Sequence, residues 1–106
     1  MKLRHATPRK NLPGIVRDGL LCSKSRGKRK AVWLCKPARG AWALLHVARR
    51  HRCHAEAVVV LEVDVPRHWL RRHAGGVWYS LRDIPPERCR RLIVFAEMAS
   101  AVPASA

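Results

Sequence analysis

The chain has 106 residues, 22 Lys and Arg against 7 Asp and Glu, a formal net charge of +15 and 48 % hydrophobic residues. Such a length supports one modest core and argues against two independently folding domains, and this much apolar content excludes wholesale disorder. The apolar run Ala57–Leu61 stops at Glu62, well short of the ~20 residues a spanning helix needs, and Lys2, Arg4, Arg9 and Lys10 crowd the start where a secretory signal would be apolar. The expectation is a cytoplasmic protein with no membrane span.

In chain order, Leu3–Ala6 reads as a short strand broken by Thr7-Pro8. Asn11 is placed to cap a helix, Pro13 suits its first turn, and Leu12, Ile15 and Val16 recur at helical spacing until Gly19 stops it. Ser23–Lys30 holds five Lys or Arg and no apolar periodicity, which predicts a solvated loop. Ala31–Cys35 reads as a strand.

Pro37 and Gly40 introduce a helix over about Ala41–His51, with Trp42, Leu45 and Ala48 on one face and Leu44 and Val47 beside it. Its basic end, Arg49 to Arg52, suits the negative pole of the helix dipole. Ala57–Val65 is apolar enough to be a strand covered on both faces, and so the central one. Pro66 ends it, and His68–His73 reads as a helical turn or a loop. Gly75-Gly76 marks a turn before the strand Val77–Ser80, Ile84-Pro85-Pro86-Glu87 forbids regular structure, and Leu92–Ala96 closes the fold. The fold class is a small α+β domain, residues 1–97, with two short helices against a sheet and a flexible tail, residues 98–106.

The four cysteines, Cys22, Cys35, Cys53 and Cys89, form no C-x-x-C pair and read as reduced thiols. Cys53 lies near His51 and His54, but the paired-ligand spacing of structural zinc sites is missing, so no metal is expected. Arg outnumbers Lys sixteen to six, as GC-rich codon usage alone would produce. An excess of this size nevertheless sets up a positive potential that attracts polyanions such as RNA and DNA.

Arg4-His5-Ala6-Thr7, followed by Asn11-Leu12, Ile15 and Gly19-Leu20, resembles the opening of the ADP-ribosyltransferase-like fold, in which an H-x-T strand precedes a helix ending in Gly-Leu. Val32-Trp33-Leu34-Cys35 is similar to the V-H-L-S strand of the RNA 2′-phosphotransferase branch. Arg50-His51 before Ala57–Val63 resembles that branch's R-H-G stretch, and Gly76–Ser80 then Ile84–Glu87 resembles its N-G-V-W-L-T strand followed by V-P-P-E. These pieces stand in the family's order over nearly the whole chain.

The resemblance implies a compact ADP-ribosyltransferase-like split β-sheet with two short helices, NAD⁺ as cofactor and a phosphorylated nucleic acid as acceptor. In that branch the internal 2′-phosphate of RNA attacks the ribose carbon bearing nicotinamide, and the ADP-ribosylated intermediate collapses to a cyclic phosphate. It implies that His5 bonds a ribose hydroxyl and is catalytic together with Arg50. Thr7, Trp33, Cys35 and Val77 join His5 around the cofactor, and Arg50 and His51 hold the substrate phosphate.

Three positions depart from the family pattern: Trp33 replaces its second His, Cys35 its Ser, and Arg52 the Gly of R-H-G. The family's N-terminal lobe, with an Arg-His pair and another catalytic Arg, is not in this sequence, so a protein partner supplying such a lobe is a further expectation. Other branches place a Glu or Gln late in the chain to activate the acceptor. No acid stands at Val77–Ser80, Glu87 follows Pro85-Pro86, and Glu97 aligns with nothing, which implies an acceptor that carries its own negative charge. The alternative is a catalytically inactive, basic RNA- or DNA-binding module, with Trp42, Trp69 and Trp78 either stacking on bases or, as apolar positions, packing in the core.

Overall fold

In the computed structural model, which describes residues 1–94, eight elements follow one another: β1 (Lys2–Pro8), α1 (Leu12–Asp18), β2 (Val32–Cys35), α2 (Gly40–Arg50), β3 (Val58–Asp64), β4 (Leu70–Arg72), β5 (Val77–Ser80) and β6 (Cys89–Val94). The strands make one antiparallel sheet in the order β4-β5-β2-β1-β3-β6. The α+β class read from the sequence is what the structure has. No helix among the described residues is long and apolar enough to cross a membrane.

One junction governs the sheet. β1 pairs with β3 along seven residues, Lys2↔Asp64 to Pro8↔Val58, but with β2 only at Arg4↔Cys35. Beyond that bridge the strands splay, dividing the sheet into the halves β4-β5-β2 and β1-β3-β6. Between them lies an opening floored by the ends of β1 and β2.

Alternation along β1 and β3 sends apolar side chains to both faces. Leu3, Leu61, Val63 and Val65 join Leu20, Leu34, Trp78 and Ile84 in one buried cluster, against which Leu12 and Ile15 of α1 pack. Val58 and Val60 meet Leu44 and Ala48 of α2 in a second. Thus β3 is covered on both faces, as its unbroken Val-Leu run requires.

Several expectations need correction. β1 does not stop before Thr7-Pro8: a strand with one remaining neighbour tolerates a terminal proline, so pairing continues to Pro8. Asn11 makes no side-chain cap, because its Nδ2 donates to the Thr7 hydroxyl at 3.1 Å. Val16 is exposed, since only Leu12 and Ile15 of its helix reach the core. β3 is central to its half but next to the edge of the whole sheet.

His68–His73 contributes a short turn and then edge strand β4, whose register Leu70↔Ser80 buries only Leu70. The closing strand begins at Cys89, earlier than the sequence suggested, and its expected end at Phe95-Ala96 lies outside the described residues, as does the tail 98–106. On α2 the buried residues are Gly40, Leu44 and Ala48, while Trp42 and Leu45 are 44 % and 52 % exposed. Spacing of four with small residues at both ends lets the helix lie close on the sheet, which a Trp at the contact would prevent.

Candidate functional site

The splayed junction opens into a cleft of about 800 Å³, within the range of ~300–1,000 Å³ usual for small-molecule sites. All seven residues singled out from the sequence, His5, Thr7, Trp33, Cys35, Arg50, His51 and Val77, line it. They come from β1, β2, β5 and the end of α2, with His51 just past its last residue.

His5 follows the bridging residue Arg4 at the head of the split. Its ring Nδ1 donates to the Trp33 carbonyl oxygen at 2.7 Å, a bond across the two strands where the main-chain ladder has ended. A carbonyl only accepts, so Nδ1 carries the proton. Burial pulls the His5 pKa below its ordinary value, against the opposing pull of that carbonyl. The ring is therefore neutral near pH 7, and Nε2 keeps a lone pair that can accept from a hydroxyl.

Thr7 is buried, and its hydroxyl accepts from Asn11, tying the end of β1 to the turn that starts α1. Cys35 is 3 % exposed and lies opposite Val77 in the ladder. Burial pushes its thiol pKa up, only partly offset by Arg39 and Arg4, so it is a wall and not a nucleophile. Cys22 is raised likewise, by burial first and then Asp83, and Cys89 is pushed up to about 11 by burial with Glu87 adding to it.

Trp33 is half-buried, with its ring 5.1 Å from Tyr79 and edge-on to His73 at 5.3 Å. The Arg29 guanidinium covers Tyr79 at 4.5 Å. The position that holds an imidazole in the family resembled above thus carries an aromatic wall.

At the end of α2 a group of cations forms. The Arg26 guanidinium donates to His51 Nδ1 at 3.4 Å, and burial first, then Arg26, Lys10 and Arg50, hold the His51 pKa below its ordinary value. A neutral ring accepting at Nδ1 presents Nε2–H as a donor, so His51 adds to the donors that Arg50, Arg26 and Lys10 bring to this part of the cleft. Sequence reasoning did not single out Lys10, or Arg26 within its basic loop, as site residues. Their only signal was membership of basic stretches, and it is the fold that brings them to His51.

The helix end is itself shaped for this. Arg52 has φ 52°, the Cys53 N–H donates to the Ala48 carbonyl at 3.0 Å, and the Arg52 N–H to the Arg49 carbonyl at 3.2 Å. This pair of bonds is the helix stop that glycine favours, and here it is built with arginine. The turn ends the helix immediately beyond His51.

Among the described residues that line the cleft, Asp18 is the only carboxylate, and Arg17 engages it at 3.1 Å. Glu97 lies outside the described residues. No protein-family model matches the chain, and a search of curated proteins finds no match.

Proposed function

We propose that the chain is an ADP-ribosyltransferase-like domain that binds NAD⁺ in this cleft and transfers ADP-ribose to a phosphate on a nucleic acid, in the manner of the RNA 2′-phosphotransferases. The observation that carries the reading is the His5 imidazole held by the Trp33 carbonyl at the parting of β1 and β2, with Nε2 left as an acceptor, in a cleft that the other six predicted residues also line. The donor set also fits such a cofactor: a neutral imidazole for a ribose hydroxyl, the Trp33 indole for a flat ring, and arginines for phosphates.

Bound NAD⁺ would supply a ribose carbon whose leaving group, nicotinamide, departs with the bonding electron pair. His5 holds the ribose through Nε2, its orientation fixed by the bond to Trp33. Thr7, accepting from Asn11, ties that strand to the turn before α1. Arg50, with Arg26, His51 and Lys10, holds the acceptor phosphate by charge-assisted bonds and positions its oxygen for attack. The acceptor brings its own negative charge, so the cleft needs no general base.

The second reading, a basic RNA- or DNA-binding module without catalysis, is favoured by Trp33, which puts an indole where the family has its second imidazole. Incubation with labelled NAD⁺ and 2′- or terminally phosphorylated RNA separates the two. Label transfer that is lost in Arg50→Ala and His5→Ala supports the enzyme. RNA binding with no transfer to any phosphorylated acceptor and no thermal shift with NAD⁺ supports the module. Co-purification with a small protein that confers transfer would identify the partner lobe.

A further inference from the structure

The α2 wall of the cleft has a feature that cofactor binding does not use. Trp42, His46 and Arg50 recur every four residues, so they share one helix face, and all three line the cleft. Trp42 is exposed and belongs to neither apolar cluster, so core packing does not account for it. Its indole lies almost parallel to the His46 imidazole, at 5.2 Å and 15°, with the Arg39 guanidinium 4.9 Å from its centroid.

This column leads straight to the cation group. Eight residues of helix place Arg50 about 12 Å along the axis from Trp42. Beyond it stand His51 and Arg26, then Lys10, which with His51 also borders an adjoining hollow of about 190 Å³. Flat rings followed by a row of phosphate-binding cations is the arrangement that holds unpaired nucleotides: bases stack, and the backbone follows the charge.

We propose that this face is the track by which a single-stranded nucleic acid enters the cleft, with an unpaired base taking the place of the exposed Arg39 guanidinium on the Trp42–His46 column and the adjacent phosphates on Arg50, Arg26 and Lys10. The net charge of +15 supplies the complementarity. A duplex keeps its base faces covered and has nothing to offer the indole, and an acidic peptide would satisfy the cations while leaving the rings unused. The proposal deepens the transfer reading, on which it rests, by specifying the acceptor as an unpaired strand.

The test is fluorescence anisotropy of a labelled mixed-sequence RNA strand and of the same strand in a duplex, titrated with the full chain at several salt concentrations without NAD⁺. The single strand is expected to bind at least about tenfold more tightly than the duplex, and Trp42→Ala to weaken it by about tenfold with no change in salt slope, as loss of one stacked base predicts. Trp42→Phe retains most of the affinity, and Arg50→Ala lowers the salt slope by about one ion.

Single-strand affinity of Trp42→Ala within about twofold of wild type overturns the proposal, as does an equal loss on the duplex. Should Trp42→Ala fail to fold, His46→Ala gives the same readout from the other ring. An NAD⁺ titration of the wild-type chain keeps the two readings apart. A protein that holds the strand through Trp42 and ignores NAD⁺ sinks only the cofactor reading, whereas one that binds NAD⁺ and prefers no single strand sinks only the track.

Discussion

The imidazole of His5 donates to the main-chain carbonyl of Trp33 at 2.7 Å, so a side chain spans the gap where the ladder between β1 and β2 has already ended. The same bond fixes the tautomer that leaves Nε2 as an acceptor. His5→Ala leaves the Trp33 carbonyl without this partner, which costs about 1–3 kcal/mol when the acceptor stays buried. The expected result is a lower urea midpoint and, on the proposed function, loss of NAD⁺ binding. An unchanged midpoint would mean that the two halves are held by other contacts.

The two lowered histidines give stability a pH dependence. His5 is shifted down chiefly by burial, and His51 by burial and then Arg26, Lys10 and Arg50. Both bind a proton less readily in the folded chain than in the unfolded one. Their contribution is fully present above the ordinary histidine value of about 6.5 and is lost as pH falls from there towards the folded pKa values. Denaturation series across this window should show stability dropping on acidification, with a shallower drop in His5→Gln; a flat profile in the wild type would refute the assignment.

Arg52 occupies the left-handed region at φ 52°, where a side chain costs energy that glycine avoids. Arg52→Gly is expected to raise stability by roughly 0.5–1 kcal/mol after the entropy of the more flexible unfolded chain is deducted. Arg52→Ala keeps the strain and should not. Comparison of the two melting curves decides the matter, and a less stable glycine variant would show that the arginine side chain contributes more than its backbone costs.

Gly19 ends α1 at φ 81°, and a Cβ there would run into the carbonyl oxygen of Ile84 and the backbone of Pro85-Pro86. Neither segment can yield cheaply, since Leu20 and Ile84 exchange backbone hydrogen bonds at 2.8 Å. Gly19→Ala should lose more than about 3 kcal/mol, among the larger effects expected of one substitution. Thermal denaturation of that variant measures it directly.

The face of α2 can be read by a pair of truncations. Leu44 is fully buried and Leu45 is half exposed. Leu44→Ala should cost about 2–5 kcal/mol and Leu45→Ala well under 1 kcal/mol. Equal losses would mean that the helix is rotated from the position described.

What the sequence reveals depends on whether its signal is local. The runs Val32–Cys35, Val58–Asp64 and Val77–Ser80 declare strands because branched and apolar residues are continuous, and Gly19 and Gly75-Gly76 declare stops because only glycine adopts their backbone readily. The face of α2 is not legible in this way. Trp42 and Leu45 are as apolar as Leu44, and only the close approach of Gly40 and Ala48 to the sheet decides between them. β4 is hidden because an edge strand that buries Leu70 alone, followed by two exposed arginines, has no periodicity to detect.

The site divides along the same line. His5, Thr7 and Arg50 stand out through their motif neighbours. Lys10 and Arg26 do not, because a cation in a basic run looks alike wherever the run folds. Their approach to His51 is a property of the tertiary structure.

The position of β1 has a consequence for synthesis. It is the first of these strands to leave the ribosome, yet it occupies the interior of the sheet and both its partners come later. At about 5–20 residues per second, the fifty residues between Pro8 and Val58 take roughly 3–10 s to emerge. Throughout that interval Leu3 and the apolar side of α1 have no β3 to cover them. The nascent chain therefore carries β1 without its main partner while these fifty residues are made, and the fold is committed only when its fifth element appears.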